Sequence, residues 1–393
     1  MANTKRIDLA EVVCHFQSLE DPRSPINRRH PLQSVLVISL MAVLAGADGP
    51  TAIRQWAESK ADLLLRTLPL PHGLPSKDVF RRVLMAVQPE AFQACFVNWL
   101  NALRSNAGGR QSGGGETETF DREVMAIDGK TLRGSYDRSN GLGPLHLVSV
   151  WLTNAGLTLG QVATEEKSNE ITAIPEVLRL VDINGAIITI DAMGTQTAIA
   201  RQIVDGGGDY VLALKGNQGG LHAAVIDYVN EHLSDDFARL KVRRHVETEH
   251  KHGRWERRTY FQFPVPPDLK ERTRWKGLRT IGLVLYESAC GDKETSDVRY
   301  YINSLPLGVK QFARAVRQHW GIENTCHWSL DMTYREDAQR TRHRHLAENL
   351  AWLRRFTLSL IKQQPGKQSL AMKRRMCGWN DDYLLQVLTP QSN

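Results

Sequence analysis

Apolar positions in the first hundred residues recur at helical spacing, and past residue 120 that rhythm gives way to short apolar runs. Leu32 to Ala47 is the longest apolar stretch. A membrane span needs about 20 apolar residues, and this shorter run contains Gln33, Ser34 and Ser39, so it predicts a buried helix. Ala52 to Leu65 is amphipathic, Ser76 is placed to cap a helix over 77–87, and Pro89 opens another through Leu103. These segments predict a small all-α N-terminal domain, residues 1–105, suited either to DNA binding or to packing and dimerisation. Five glycines between Ser105 and Glu118 leave little to bury, so 106–120 reads as a flexible linker.

From Glu123 the pattern predicts strands at 124–128, 145–153 and 157–163, with Asn154-Ala155-Gly156 as a hairpin turn. A helix near 171–181, a strand at 186–191, a helix at 195–205 and a strand at 210–214 follow. Three strands, helix, strand, helix, strand is the order of an α/β, ribonuclease-H-like mixed sheet, in which the first and fourth strands are neighbours. Residues from about 219 to 305 break the alternation and predict a basic, β-rich insertion. Helical period resumes after Leu307 and again from Leu346 to Lys362, outlining a unit over 121–376 and a tail over 377–393.

The chemistry gathers at strand ends. Val124-Met-Ala-Ile-Asp128-Gly-Lys and Ile187-Ile-Thr-Ile-Asp191-Ala-Met-Gly each close an apolar strand with an aspartate and a nearby glycine. A buried carboxylate is costly without a positive partner, and two at neighbouring strand ends suit a hard divalent cation. The bland alternative is an aspartate capping the turn that follows it. A third acid is offered by His319-Trp320-Gly-Ile322-Glu323, where His319, Glu323 and His327 share one side of a helix and Trp320, Ile322 and Trp328 can anchor it against the sheet. Glu336 and Asp337 are alternatives.

Charge changes the picture by its distribution. The net +7 hides an acidic centre, residues 121–240, with 9 Lys+Arg against 16 Asp+Glu. Residues 241–280 hold 12 against 5 and residues 310–376 hold 14 against 5, so basic regions flank a carboxylate core in the manner of a polyanion track. Lys130, Arg133, Lys215, Asn217, Arg254, Arg257, Arg258, Arg317, His319 and His327 are candidates for nucleic-acid contact, and Trp255 for stacking on a displaced base. Local ion pairing is the competing reading for Lys130 and Arg133. Five scattered cysteines, and histidines 245, 250 and 252 with no cysteine beside them, argue against a zinc module or disulfide framework. The absence of a secretion-signal pattern or membrane span predicts a cytoplasmic, nucleoid-associated protein.

These pieces resemble the bacterial insertion-sequence transposases of the ISAs type, which include the H-repeat-associated proteins. The matching segments are Ala-Ile-Asp128-Gly-Lys-Thr-Leu-Arg-Gly-Ser, Lys167-Ser-Asn-Glu170-Ile, Ile-Asp191-Ala-Met-Gly-Thr-Gln, Leu-Lys215-Gly-Asn-Gln, His252-Gly-Arg and His319-Trp-Gly-Ile-Glu323-Asn, with Arg335-Glu-Asp337 beyond. They stand in one order across nearly the whole chain. The resemblance implies a DDE enzyme with Asp128, Asp191 and Glu323 as catalytic and metal-holding residues, Mg²⁺ as cofactor with Mn²⁺ as substitute, double-stranded DNA as substrate and a homodimer assembled on it. Related transposases place tyrosine, arginine and lysine around the catalytic glutamate, where this chain has Val316, His319 and Leu330. A catalytically inactive DNA-binding relic, or a structure-selective nuclease of the same fold, are the alternatives.

Overall fold

Prolines and a serine set the helix starts of the N-terminal region. The computed structural model describes residues 9–107, 122–164, 170–235, 237–251 and 253–389. The glycine-rich stretch 108–120, Lys167-Ser-Asn and His252 lie outside them. The first six helices are α1 (Leu9–Cys14), α2 (Leu32–Leu44), α3 (Pro50–Ser59), α4 (Ala61–Thr67), α5 (Lys77–Ala86) and α6 (Pro89–Ala107). Pro50 and Pro89 occupy first helical positions, where the missing N–H costs nothing. Ser76 caps α5 by accepting from the Val79 amide. Helix α2 is buried on nearly every side, as its unbroken apolar run requires. The amphipathic stretch expected as one helix is two, α3 and α4, parted at Lys60.

The strands are β1 (Val124–Thr131), β2 (His146–Leu152), β3 (Leu157–Thr164), β4 (Ile187–Ile190), β5 (Asp209–Leu214), β6 (Arg243–Lys251), β7 (Arg254–Pro264), β8 (Thr280–Cys290) and β9 (Lys293–Asn303). They form one sheet in the order β3-β2-β1-β4-β5-β9-β8-β7-β6. The β1–β4 and β4–β5 pairs are parallel and the remaining pairs antiparallel. The first five strands are the ribonuclease-H-like core, with α7 (Glu170–Arg179) and α8 (Thr197–Asp205) as crossovers. After α9 (Gly219–Leu233) the β-rich insertion continues the same sheet, because β9 hydrogen-bonds to β5.

Strand alternation gives the sheet two buried faces. Val124, Ile187 and Val211 pack with Tyr260 and Tyr301 beneath Phe312, Ala313 and Val316 of α10 (Val309–Gly321). Met125, Ile127, Ile188, Ile190 and Leu212 face the larger core. A π-helical turn, Ile322–His327, and α11 (Trp328–Met332) follow α10, leading to α12 (Arg344–Gln363), α13 (Leu370–Trp379) and α14 (Asp381–Leu388). Helix α12 is buried along most of its length and touches α2, α5, α6 and β3. Its Asn349 Nδ2 donates to the carbonyls of Leu84 and Val87, both at 2.9 Å, closing the C-terminus of α5. Arg374 of α13 donates to Val43 O near the end of α2 and lies 4.0 Å over the Tyr334 ring. Of residues 377–393, expected as a tail, 377–388 complete α13 and form α14, with Leu384, Val387 and Leu388 in the core, and 390–393 lie outside the described residues.

The close approach of α10 to β8 depends on Gly282, where a Cβ atom would collide with the edge of the Phe312 ring. Gly282→Ala is expected to lower unfolding free energy by about 1–3 kcal/mol, measured by urea denaturation.

Candidate active site

The parallel ladder between β1 and β4 ends on the pair Ile127–Ile190. One residue further on each strand stand Asp128 and Asp191, side by side. By alternation they share the parity of Val124 and Ile187, so both belong to the face that α10 covers. Asp128 Oδ1 accepts from its neighbour, the Gly129 amide, at 2.9 Å. Asp191 Oδ1 accepts from the amides of Met193 and Gly194 at 3.1 and 3.2 Å, an Asx turn that fixes the carboxylate as the chain leaves the sheet. The π-helical turn after α10 brings in Glu323, whose exposed carboxylate has no hydrogen-bond or ion-pair partner among the described residues. Burial pushes the Asp128 carboxyl up to about 7; the Gly129 amide opposes that rise, and the charges of Glu323, Asp191 and Glu170 add to it. The three sequence-derived acids therefore sit within electrostatic reach of one another.

The two alternative acids have other partners. Glu336 is fully buried and meets Arg355 at 2.8 Å and Arg354 at 3.8 Å. Asp337 lies 3.5 Å from Lys130 and 3.4 Å from Arg133. Lys130 is mostly buried and also meets Asp331 at 2.7 Å, so the local-pairing reading describes its position, whereas Arg133 is 82% exposed. Lys215 is exposed and joins Asp191, His319, Trp320 and Glu323 in lining a cavity of about 500 Å³. Asn217 donates to Ala192 O at 2.5 Å and so braces the turn after Asp191.

His327 Nδ1 lies 3.5 Å from Asp128 Oδ2, and His319 Nδ1 lies 3.0 Å from Thr189 Oγ1 on β4. Burial drives His327 down to about 3 and His319 to about 4, so both rings are neutral at physiological pH. Ile322 anchors the turn in the core, but Trp328 is 57% exposed, and Trp320 stacks on Arg299 at 4.3 Å. In the insertion, Arg258 meets Glu256 at 2.5 Å, Glu249 meets Arg317 of α10 at 2.9 Å, and Arg257 faces Glu287 across the β7–β8 ladder. Arg254 bonds Glu256 and Tyr286 yet stays half exposed, with Trp255 beside it 36% exposed. The basic character expected of this region is thus partly neutralised by interleaved glutamates.

Sequence reasoning missed a buried pair behind Asp128. His146 Nε2 lies 2.7 Å from Glu170 Oε1, both nearly inaccessible, and His146 Nδ1 lies 2.9 Å from Thr131 Oγ1. Gly129 makes room for them, since a Cβ there would collide with both side chains. The Lys-Ser-Asn-Glu segment hinted at Glu170; nothing in the local sequence marked His146.

Residues 119–360 match the family model described as "Transposase DDE domain", and residues 13–100 match the one described as "DDE_Tnp_1-associated". The chain belongs to the DDE transposase family. It is 35% identical over 393 residues to "H repeat-associated putative transposase YhhI" of Escherichia coli (strain K12), covering 97% of this chain and 98% of that one. An uncharacterized protein in the dhlA 3′ region of Xanthobacter autotrophicus is 38% identical over 290 residues, 74% of this chain and 92% of its own. Among solved structures, a piggyBac transposase synaptic complex with hairpin DNA aligns over 95% of this chain and 80% of its own, with a TM-score of 0.40 and 10% identity, too distant to bear on the site. Within the described residues no helix is long and apolar enough to cross a membrane.

DDE transposases as a family use divalent metal ions, and the donors here suit one: carboxylate oxygens whose mutual repulsion a hard cation would relieve. Among the described residues no three His, Cys, Asp or Glu side chains already converge on one point. Ion binding would therefore have to draw the carboxylates together.

Two stability measurements follow from this charge arrangement. The folded Asp128 carboxyl, at about 7, lies above the roughly 3.9 of an unfolded chain. Its contribution is therefore full below pH 4 and lost as pH rises through 7. Metal-free Asp128→Asn should gain about 3–4 kcal/mol over wild type at pH 8 and almost nothing at pH 4, read by chemical denaturation at the two pH values. Glu336→Ala should cost about 3–5 kcal/mol by stranding the Arg355 charge, whereas Glu323→Gln should leave the melting temperature within about 2 °C.

Proposed function

We propose that this DDE transposase is catalytically competent, cutting DNA at the ends of an insertion sequence and joining the freed 3′-hydroxyl to target DNA. Asp128, Asp191 and Glu323 are its catalytic carboxylates and would hold Mg²⁺, with Mn²⁺ able to substitute. The observation that carries this reading is the end of the β1–β4 ladder, which leaves two aspartates adjacent on the face where the α10 extension brings Glu323.

When bound, hard divalent cations shield phosphate charge and make water or a hydroxyl a better nucleophile. The chain's own residues supply the rest. Amides of Gly129, Met193 and Gly194 hold one oxygen of each aspartate. His327 and His319, kept neutral by burial, pack against the acids without neutralising them. Lys215 stands at the cavity rim as a phosphate contact, and the exposed Arg254 and Trp255 contact the strand leading to the site. Double-stranded DNA is the substrate, and a homodimer assembled on paired ends would present two such sites.

The direct test uses purified protein, Mg²⁺ and labelled duplexes from the DNA flanking the gene. Wild type should cleave and join strands, and Asp128→Asn, Asp191→Asn and Glu323→Gln should each lower the rate by roughly 10²-fold or more, the scale of losing a charge-stabilising group. Cleavage without joining would instead mark a nuclease, and binding without chemistry a relic. Independently of activity, Mg²⁺ at ten times its Kd should add about 1.4 kcal/mol to wild-type stability at pH 8 and far less to the Asp128→Asn/Asp191→Asn double variant, seen as a melting shift.

A further inference from the structure

Beyond Thr131 the chain leaves β1 and runs through residues 132–145 alongside residues 336–345. Three contacts trace the pairing: Lys130 Nζ to Asp337 Oδ1 at 3.5 Å, Gly134 pressed against the Gln339 carbonyl, and Arg344 Nη2 donating to Gly143 O at 2.8 Å. The resulting strip leads away from the carboxylates and ends in an open cavity of about 580 Å³, lined in part by Arg342, His343, Arg344 and His345. Arg344 spends one donor on Gly143, while its Nε and Nη1 are shut off from solvent and meet no hydrogen-bond partner among the described residues. Arg344 is thus fixed in the cavity wall and contributes charge there, while the exposed Arg342 is the guanidinium that a phosphate can reach. The cavity also adjoins the start of the 20-residue α12, where the N-cap His343 makes no side-chain capping bond.

Acidic groups along the strip are committed locally. Asp137 accepts from Ser139 and Asn140, Asp331 meets Lys130, and Asp337 meets Lys130 and Arg133. Arg138, Arg340 and Arg342 are exposed. A single small anion would fill the cavity alone, whereas arginines spread along a surface suit a ligand with regularly repeated charges.

We propose that this strip and its cavity bind the phosphodiester backbone of duplex DNA as it runs away from the catalytic acids, seating one phosphate against Arg342. The contact is to backbone, so it positions DNA without reading sequence. The proposal rests on the DNA-cutting reading above.

The test is fluorescence anisotropy on a duplex of about 30 bp of arbitrary sequence, without metal, across a salt series. Arg340→Ala/Arg342→Ala removes two exposed charges and should preserve the melting temperature. The expected result is binding about 5–20-fold weaker at low salt and a log–log salt slope shallower by about 1–2. Arg272→Ala/Arg274→Ala, exposed charges at the far end of the sheet, serves as the charge-matched control and should change little. An unchanged slope, equal weakening by the control pair, or tighter binding to duplex RNA would overturn the strip while leaving the DNA-cutting reading standing. Failure of wild type to bind any duplex would overturn both.

Discussion

Parallel pairing of β1 with β4 is the constraint on which the rest depends. Parallel strands need a crossover, and the chain supplies it through a β2–β3 hairpin and α7 before returning beside its starting strand. The ladder stops at Ile127–Ile190, so Asp128, still paired with Ser149 of β2, and Asp191, just past β4, stand at the same level. Two carboxylates forced together there repel, and burial of Asp128 raises the cost further. The fold tolerates the arrangement because backbone amides hold one oxygen of each. The repulsion itself is a standing affinity for positive charge, which fits the divalent-metal chemistry of the DDE family.

The surroundings preserve that affinity instead of quenching it. Cations nearby are directed elsewhere: Lys130 to Asp331 and Asp337, Arg317 to Glu249, Arg355 to Glu336. The two histidines packed against the acids are neutral. An ion pair within the acidic group would have stabilised the metal-free protein and weakened its hold on an ion.

Much of the fold was legible because strand and helix periods differ sharply in this chain and because Asp128 and Asp191 each end an unmistakable apolar run. Glu323 was legible from its spacing to His319 and His327, although the local helix is a π turn, which no periodicity announced. The partners of the charged residues were hidden. Glu336 and Arg355, or Lys130 and Asp331, are brought together only by tertiary packing. Charge runs in sequence therefore overstated the free basic surface of the insertion, where cross-strand glutamates answer the arginines. The site's neighbour His146 was invisible for the same reason: it meets Glu170 across 24 residues of chain.

Helix α12 lies between the N-terminal helices and β3, with Leu350, Leu353 and Phe356 in the core shared by both. Those helices are synthesised first, yet the surface that completes their core arrives some two hundred and fifty residues later. Until then α2 and α5 expose apolar faces that only a chaperone or the finished chain can cover. A message ending between residues 324 and 343 would consequently yield a polypeptide carrying all three acids but lacking the helix that completes this core. Only molecules translated through α12 can therefore complete the core that the N-terminal helices share with β3.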